Sequence, residues 1–422
     1  ELENIQVSLK PAWLIIGDFN LIYKACDKNN SRLNRAMMQH FRGLLDKIQV
    51  KELPLPGRRF TWASEGSNPT QTKIDRAFAS VDWDLMFESS IMHPLFSACS
   101  DHTPLFLVGN EKRSKSPIFR FESYWLKVPG FLEVVQHSWQ KPILSSNRLA
   151  IFRLKLRRLA RDLKRWSCCN VGDIKLQLAI AAEVIFQLEL ARESRSLSDQ
   201  ENLLLSNLKS RFLGLSTLNK IKIRQRSRLT WLKEGDVDSK LFHIKANSRR
   251  RKNYIQSLQT PSGVAISAQD KEDELFRFFK SRPGTNNQRS LGLNWAALGL
   301  QSLDLSELEE DFSEEEIKAT IFSLPPEKAP GPDGFIGSFF KVSWEIIKDD
   351  IMVAINSFMN LNTSQLEKLN SAFICFIPKK DDASGADHYR PISLIHSFAR
   401  IITKTLANRL APRLNELVSQ NQ

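Results

Sequence analysis

Apolar and polar positions change period several times along the chain. Near the start they come as short runs. Trp13 to Gly17 is continuously apolar, Lys73 to Phe78 carries an acid between apolar neighbours, and Pro104 to Val108 closes the segment. The first run predicts a strand buried on both faces, and the second predicts another strand. A polar, Pro-containing stretch, Ser114 to Pro117, marks a boundary. Beyond it the period becomes helical. A pattern around Phe131 to Trp139 is followed by Phe152, Leu156, Leu159, Leu163 and Trp166, which lie on one helical face. Leu176, Ile180, Val184 and Leu188 form a second face, and Leu204, Leu208, Phe212 and Leu215 a third. These predict long antiparallel helices folded as a hairpin or coiled-coil arm. Ser313 with Glu316 predicts a capping box opening a helix through Phe322, which Pro325-Pro326 ends. The turn Ala329-Pro330-Gly331-Pro332-Asp333-Gly334 follows. Next comes a helix whose face is Phe340, Trp344, Ile347, Ile351, Ile355 and Phe358, then a strand from Ala372 to Pro378 and a helix from Ser397 to Leu410.

Charge sharpens this division. Residues 1–108 hold 12 cations and 12 acids, residues 109–260 hold 31 and 13, and residues 261–422 hold 17 and 22. The middle third therefore supplies the whole of the net +13, and a concentrated basic segment points to a polyanionic partner. No run of about 18 apolar residues predicts a membrane span, and there is no secretory signal pattern at the start. The chain opens on Glu1 and enters an apolar run almost at once, which reads as a piece cut from a longer protein. The five cysteines lack C-x-x-C spacing, which fits free thiols in a reducing, intracellular setting. Cys26, Cys99 and Cys375 read as small buried hydrophobes.

Candidate chemistry clusters in the first segment. Asp18 and Asn20 sit at the end of the first predicted strand, where open α/β sheets collect ligands. Asp75 lies within the second, and Ser100-Asp101-His102 precedes the third. Phosphodiester hydrolysis needs a base titrating near neutrality, a group to orient it and a cation for developing charge. His102, Asp75 and Asp101 are candidates for base, orienter and metal ligand. The ordered trio G-D-F-N, I-D-R and S-D-H resembles the C-terminal half of the endonuclease/exonuclease/phosphatase superfamily, over about Ala12 to Val108. The resemblance implies that Asp18 and Asn20 act on the scissile phosphate, that Asp75 pairs with His102, and that Mg²⁺ takes part. It also implies that Thr61 and Trp62 of Phe60-Thr61-Trp62 contact DNA, although a core role for Trp62 is an equal alternative. The superfamily's N-terminal half, with its Asn and metal-binding Glu, has no counterpart here. Little nuclease activity is expected from this chain alone, and one sheet face is expected to lie uncovered.

The middle segment carries two dense basic spots. One is the alternating Lys222, Arg224, Arg226 and Arg228; the other is the consecutive Arg249, Arg250, Arg251 and Lys252. The latter four are candidate DNA contacts, while a solvated basic face is the bland alternative. Trp231 to Asp236, Lys240 to His243 and Asn247 to Arg251 together are similar to the connector joining nuclease and polymerase in plant LINE elements. Further on, the P-G-P-D-G turn, then F-I-P-K and Y-R-P-I-S-L, resembles the opening of the reverse transcriptase domain of LINE-type (non-LTR) retrotransposons. That resemblance makes Lys379 and Arg390 candidates for gripping the incoming nucleotide or the template. The palm aspartates of that family do not occur, so polymerase activity is not expected from this chain alone.

The expected fold is α/β and α. A partial α/β-sandwich nuclease half spans 1–110, a long basic helical connector spans 111–310, and an incomplete reverse transcriptase fingers/palm region (α+β) spans 311–422. The expected partners are DNA and RNA, the element's own RNA among them, with no membrane. The resemblance implies a parent protein that nicks target DNA and copies RNA from the nick. A non-catalytic nucleic-acid-binding relic is the alternative, and a phosphatase of the same superfamily ranks last because a polymerase-like tail does nothing for it.

Overall fold

The computed structural model describes residues 11–65, 68–88, 90–95, 100–109, 118–227, 247–282, 304–360, 366–380 and 382–414. The predicted boundary Ser114 to Pro117, the connector motifs at 231–236 and 240–243, and Cys99 and Arg228 lie outside the described residues. Backbone contacts gather the chain into two compact units, neither continuous in sequence. One is drawn from 1–114, 230–290 and 375–392, the other from 115–229, 291–374 and 393–422. The expected connector, 111–310, is therefore divided between both, and the expected polymerase segment contributes residues 375–392 to the first.

The first unit is built on a three-stranded antiparallel sheet of order β1 (Leu14–Asp18), β5 (Asp75–Ser80) and β2 (Val50–Glu52). Register pairs Leu14 with Ala79 at one end and Asp18 with Asp75 at the other. Strand alternation gives β5 two working faces. Phe78 packs with Phe41, Leu45 and Ile48 of and after the helix Arg35–Lys47, which Asn34 caps by accepting the Met37 N–H. Ala77 and Ala79 pack with Leu53, Leu55 and Met92, and Leu105 and Leu107 lie against them. These last belong to the hairpin of β6 (Ile91–Pro94) and β7 (Leu105–Val108), so both faces of β5 are covered. The expected bare face is instead a matter of β1. It pairs with β5 along one edge, and Ile16 is 49% exposed, so the prediction of a strand buried on both faces fails. The physical reason is that a short apolar run does not distinguish a central strand from an edge strand.

A small hairpin, β3 (Trp62–Ala63) with β4 (Gln71–Thr72), completes the part that carries the candidate chemistry. The second hairpin, β8 (Leu258–Thr260) with β9 (Gly263–Ala265), packs with the helix Ala268–Ser281 around Leu258, Leu275 and Tyr389. Phe279 stacks there on Phe376 of β10 (Ala372–Pro378), whose partner is β11 (Tyr389–Ile395). β10 exposes Phe373, Ile374 and Ile377, and Cys375 beside them is exposed too; Cys26 is also exposed, contrary to the expectation for both thiols.

The second unit is helical. Arg148–Asn170 buries Phe152, Leu156, Leu159, Leu163 and Trp166, the predicted face, against Phe131–Gln140 and Trp344–Met359. The next two helices, Ile174–Ser194 and Asp199–Ser227, lie side by side, and the faces they bury match the predicted ones only in part: Leu215 is buried as predicted, and Val184, Leu188, Leu208 and Phe212 are half-buried. Leu176 and Ile180 are 58% and 54% exposed, while Ile174 and Ala181 are buried. Leu205 is buried in place of the predicted Leu204. Both helices carry apolar residues on more than one side, so period alone selects no single stripe. Ser313 caps Glu314–Ser323 by accepting the Glu316 N–H, but the Glu316 carboxylate pairs with Arg409 at 2.6 and 2.7 Å. Half of the predicted capping box is thus spent on a tertiary contact. The Pro/Gly turn is a packing joint. A Cβ on Gly331 would stand 2.1 Å from the Ile395 carbonyl oxygen, and the Asp333 carboxylate accepts from the Ser397 N–H and hydroxyl, capping Ser397–Leu410.

Candidate functional site

Asp18, Asp75 and His102 come from three stretches far apart in sequence and meet at one end of the sheet. One ligand atom of each lies within 4.8 Å of the others. The β1–β5 register brings the two aspartates together by placing Asp18 opposite Asp75. By alternation both belong to the face that β6 and β7 cover, and His102 enters from the loop leading into β7. The His102 Nδ1 sits 3.2 and 3.1 Å from the two carboxylate oxygens of Asp75. If Nδ1 carries the proton given to Asp75, Nε2 is left to accept one. Burial lowers the basicity of His102. The hydrogen bond and charge of Asp75, with the charges of Asp101 and Asp18, outweigh it and raise the pKa above the usual 6.5.

Asp18 is exposed, and one of its oxygens accepts the Asn20 N–H at 2.8 Å. Asn20 adopts φ of +51°, a left-handed conformation that asparagine tolerates better than most residues. Thr61 is fully buried, and its hydroxyl accepts the N–H of Ile74 at 3.1 Å and of Asp75 at 3.0 Å. It is therefore no DNA contact, contrary to expectation. Trp62 is half-buried and donates its indole N–H to an Asp101 oxygen at 2.7 Å. That contact turns Asp101 towards the tryptophan, and the metal-competent group among the described residues is Asp18, Asp75 and His102 rather than one including Asp101.

The donor set of two carboxylates and one imidazole bears on which ion fits. Mg²⁺ keeps several waters and takes one or two protein carboxylates, so the exposed Asp18 suits it, while both Asp75 oxygens are turned to His102. The imidazole is not among its preferred donors and stays available for proton transfer.

Among the remaining candidates the structure separates surface from interior. In the helical stretch 247–252, Arg249, Arg250 and Lys252 are exposed, whereas Arg251 is 1% exposed. Its guanidinium pairs with buried Asp84 and donates to the carbonyls of Ser90 at 2.7 Å and Phe87 at 3.2 Å. Asn247 also bonds Asp84, at 3.2 Å. Arg251 is thus a structural ion of the first unit and not a phosphate contact. The signal for this was present: Asn247 and Arg251 are four residues apart, on one helical face. Arg224 and Arg226 likewise pair with Glu327 and Glu122, at 3.4 and 3.3 Å. Lys379 donates to the Asp387 carbonyl at 2.7 Å, while Arg390 is exposed.

Sequence reasoning missed one further assembly. Arg76, fully buried beside Asp75 in sequence, faces the other way and bridges Asp27 at 2.6 Å and Glu52 at 2.5 Å. Burial pushes the Glu52 carboxyl up, but Lys73, Arg76 and Lys24 together hold it below the usual range. This network fixes β5 from behind while Asp75 faces the site.

No family model matches this chain. It is 22% identical over 444 residues to the Transposon TX1 uncharacterized 149 kDa protein of Xenopus laevis, an alignment covering 97% of this chain and 32% of that protein. The chain thus spans about a third of the length of that relative.

Proposed function

We propose that this chain derives from a LINE-type retrotransposon protein, and that Asp18, Asp75 and His102 are the acid–base part of its DNA-nicking site. The observation that carries the reading is the convergence of these three side chains from separate segments, with His102 hydrogen-bonded through Nδ1 to Asp75. The similarity to a transposon protein along 97% of the chain supports the origin. In this reading Asp75 holds the imidazole so that Nε2 takes a proton from the attacking water. Asp18 and Asn20 face the phosphate. A bound Mg²⁺ supplies neutralisation of the charge that develops there. The partners are DNA and RNA, with the exposed Arg249, Arg250 and Lys252 as backbone contacts and Trp62 at the rim of the site. Arg390 is the candidate for the template or nucleotide of a polymerase region opening at the P-G-P-D-G turn. The finer kinship is with the endonuclease/exonuclease/phosphatase and reverse transcriptase domains of plant elements.

A supercoiled-plasmid nicking assay with Mg²⁺ tests this, run on the chain joined to an N-terminal nuclease half of the endonuclease/exonuclease/phosphatase type. Removing a positioned base costs about 10²- to 10⁴-fold, so His102→Ala falls by that much and Asp75→Asn falls with it. The rate climbs with pH as the His102 imidazole loses its proton and becomes able to accept one. Nicking unchanged in His102→Ala sinks the reading.

A second reading, a non-catalytic nucleic-acid binder, rests on one specific feature. The helix Arg148–Asn170 exposes Arg157, Arg161, Lys164 and Arg165, while its one acid, Asp162, is engaged by Ser138 at 2.7 Å.

A further inference from the structure

We propose that Thr61 is the positioning residue that holds Asp75 against His102, an inference that rests on the nicking-site reading for its purpose but not for its geometry. Thr61 is fully buried, and its hydroxyl makes no contact suited to a substrate. Its oxygen instead accepts two consecutive backbone N–H groups, those of Ile74 and Asp75, at the entrance to β5. Two consecutive amides converging on one oxygen fix the direction in which the strand starts, and with it the direction of the Asp75 side chain.

The same residue reaches the other partner. The Thr61 carbonyl accepts the Thr103 N–H at 2.7 Å, next to His102, and the Thr61 N–H is given to the Thr72 carbonyl at 2.9 Å. Its neighbour reinforces the link. Trp62 is bridged to His102 through the backbone, and its indole holds the Asp101 carboxylate. Residues 61 and 62 therefore splint the strand that carries Asp75 to the loop that carries His102. Hydroxyl and amide of one buried residue hold the stretch 72–75, and its carbonyl holds the loop at Thr103. A buried hydroxyl that satisfies two backbone donors leaves both unpaired when it is removed. Valine at this position keeps the shape and loses the oxygen, while serine keeps the oxygen and loses a methyl.

The test is Thr61→Val beside Thr61→Ser in the full chain, read by proton NMR at low pH and low temperature. The signal followed is the downfield Nδ1–H resonance of the His102–Asp75 hydrogen bond, identified by its loss in His102→Ala. The expectation is that Thr61→Val, folded as judged by circular dichroism, loses or broadens that resonance, and that Thr61→Ser retains it. A folded Thr61→Val with the wild-type resonance overturns the proposal. Amide exchange in the wild type decides the question even where Thr61→Val does not fold. The proposal requires slow exchange at Ile74 and Asp75 in wild type and Thr61→Ser alike, and amides there exchanging as fast as in a free peptide overturn it. An enzyme that fails to nick DNA while the resonance behaves as expected would count against the nicking reading alone and leave the role of Thr61 standing.

Discussion

At the residue scale, the same side-chain type takes opposite roles according to what surrounds it. Arg250 and Arg251 adjoin in sequence, yet one faces water and the other is sealed against Asp84. Breaking a buried pair by removing one partner leaves an uncompensated charge and costs about 3–5 kcal/mol. Arg251→Ala is therefore expected to lower unfolding stability by about that amount, whereas surface replacements such as Arg250→Ala stay within about 0.5 kcal/mol. Urea unfolding of both variants measures the difference, and equal losses would remove Arg251 from its structural role. The same contrast runs through the site. Asp18, Asp75 and His102 are legible in the sequence because strand ends and the S-D-H triplet mark positions where chemistry gathers. Thr61 reads as a DNA contact in sequence because its partners are backbone amides 13 and 14 residues away, which no local pattern reports.

At the element scale, the helices divide by how sharply their apolar residues are confined. Arg148–Asn170 alternates apolar and basic positions, so its buried stripe is readable from spacing alone. Ile174–Ser194 and Asp199–Ser227 offer several apolar stripes, and which one is buried depends on the neighbour. Leu205 is 5% exposed and Leu204 46%, although they are adjacent. Truncating a buried leucine costs about 2–5 kcal/mol including its cavity, so Leu205→Ala is expected to lower stability that far. Leu204→Ala is expected to stay within about 0.5 kcal/mol. Thermal unfolding compared between the two decides it, and a larger loss in Leu204→Ala would mean that the helices pack in another register. The capping residues are readable as well. Asn34, Ser80, Asn147, Asp173, Ser267 and Ser313 each cap a helix with the side chain, because short polar groups accept the first free N–H groups.

At the scale of the whole molecule, contiguity in sequence does not equal contiguity in the fold. Segment 247–282 belongs with the unit that carries the candidate site, and Asn247 and Arg251 tie it to Asp84 there. The positive charge has a second home on the outer face of Arg148–Asn170. If Arg157, Arg161, Lys164 and Arg165 each contact one phosphate, replacing all four by alanine reduces the slope of log K against log salt by about 3.6 on duplex DNA and about 2.8 on a single strand. Fluorescence anisotropy on single-stranded RNA and duplex DNA across a salt series measures this. A slope unchanged in the quadruple variant would move nucleic-acid binding elsewhere on the molecule.

The sequence by itself determined the buried face of Arg148–Asn170, the strand Ala372–Pro378, where the cations concentrate, and which aspartates and histidine are candidates for chemistry. These follow from local period, local composition and short motifs, each confined to a few neighbouring residues. The tertiary structure alone decided that β1 lies at a sheet edge, that Arg251 and Arg76 are interior ions, that Asp101 turns to Trp62, and that Thr61 braces Asp75. Each of these depends on a partner many positions away, and the free energy of burying or pairing a group is set by that partner and not by its neighbours in the chain.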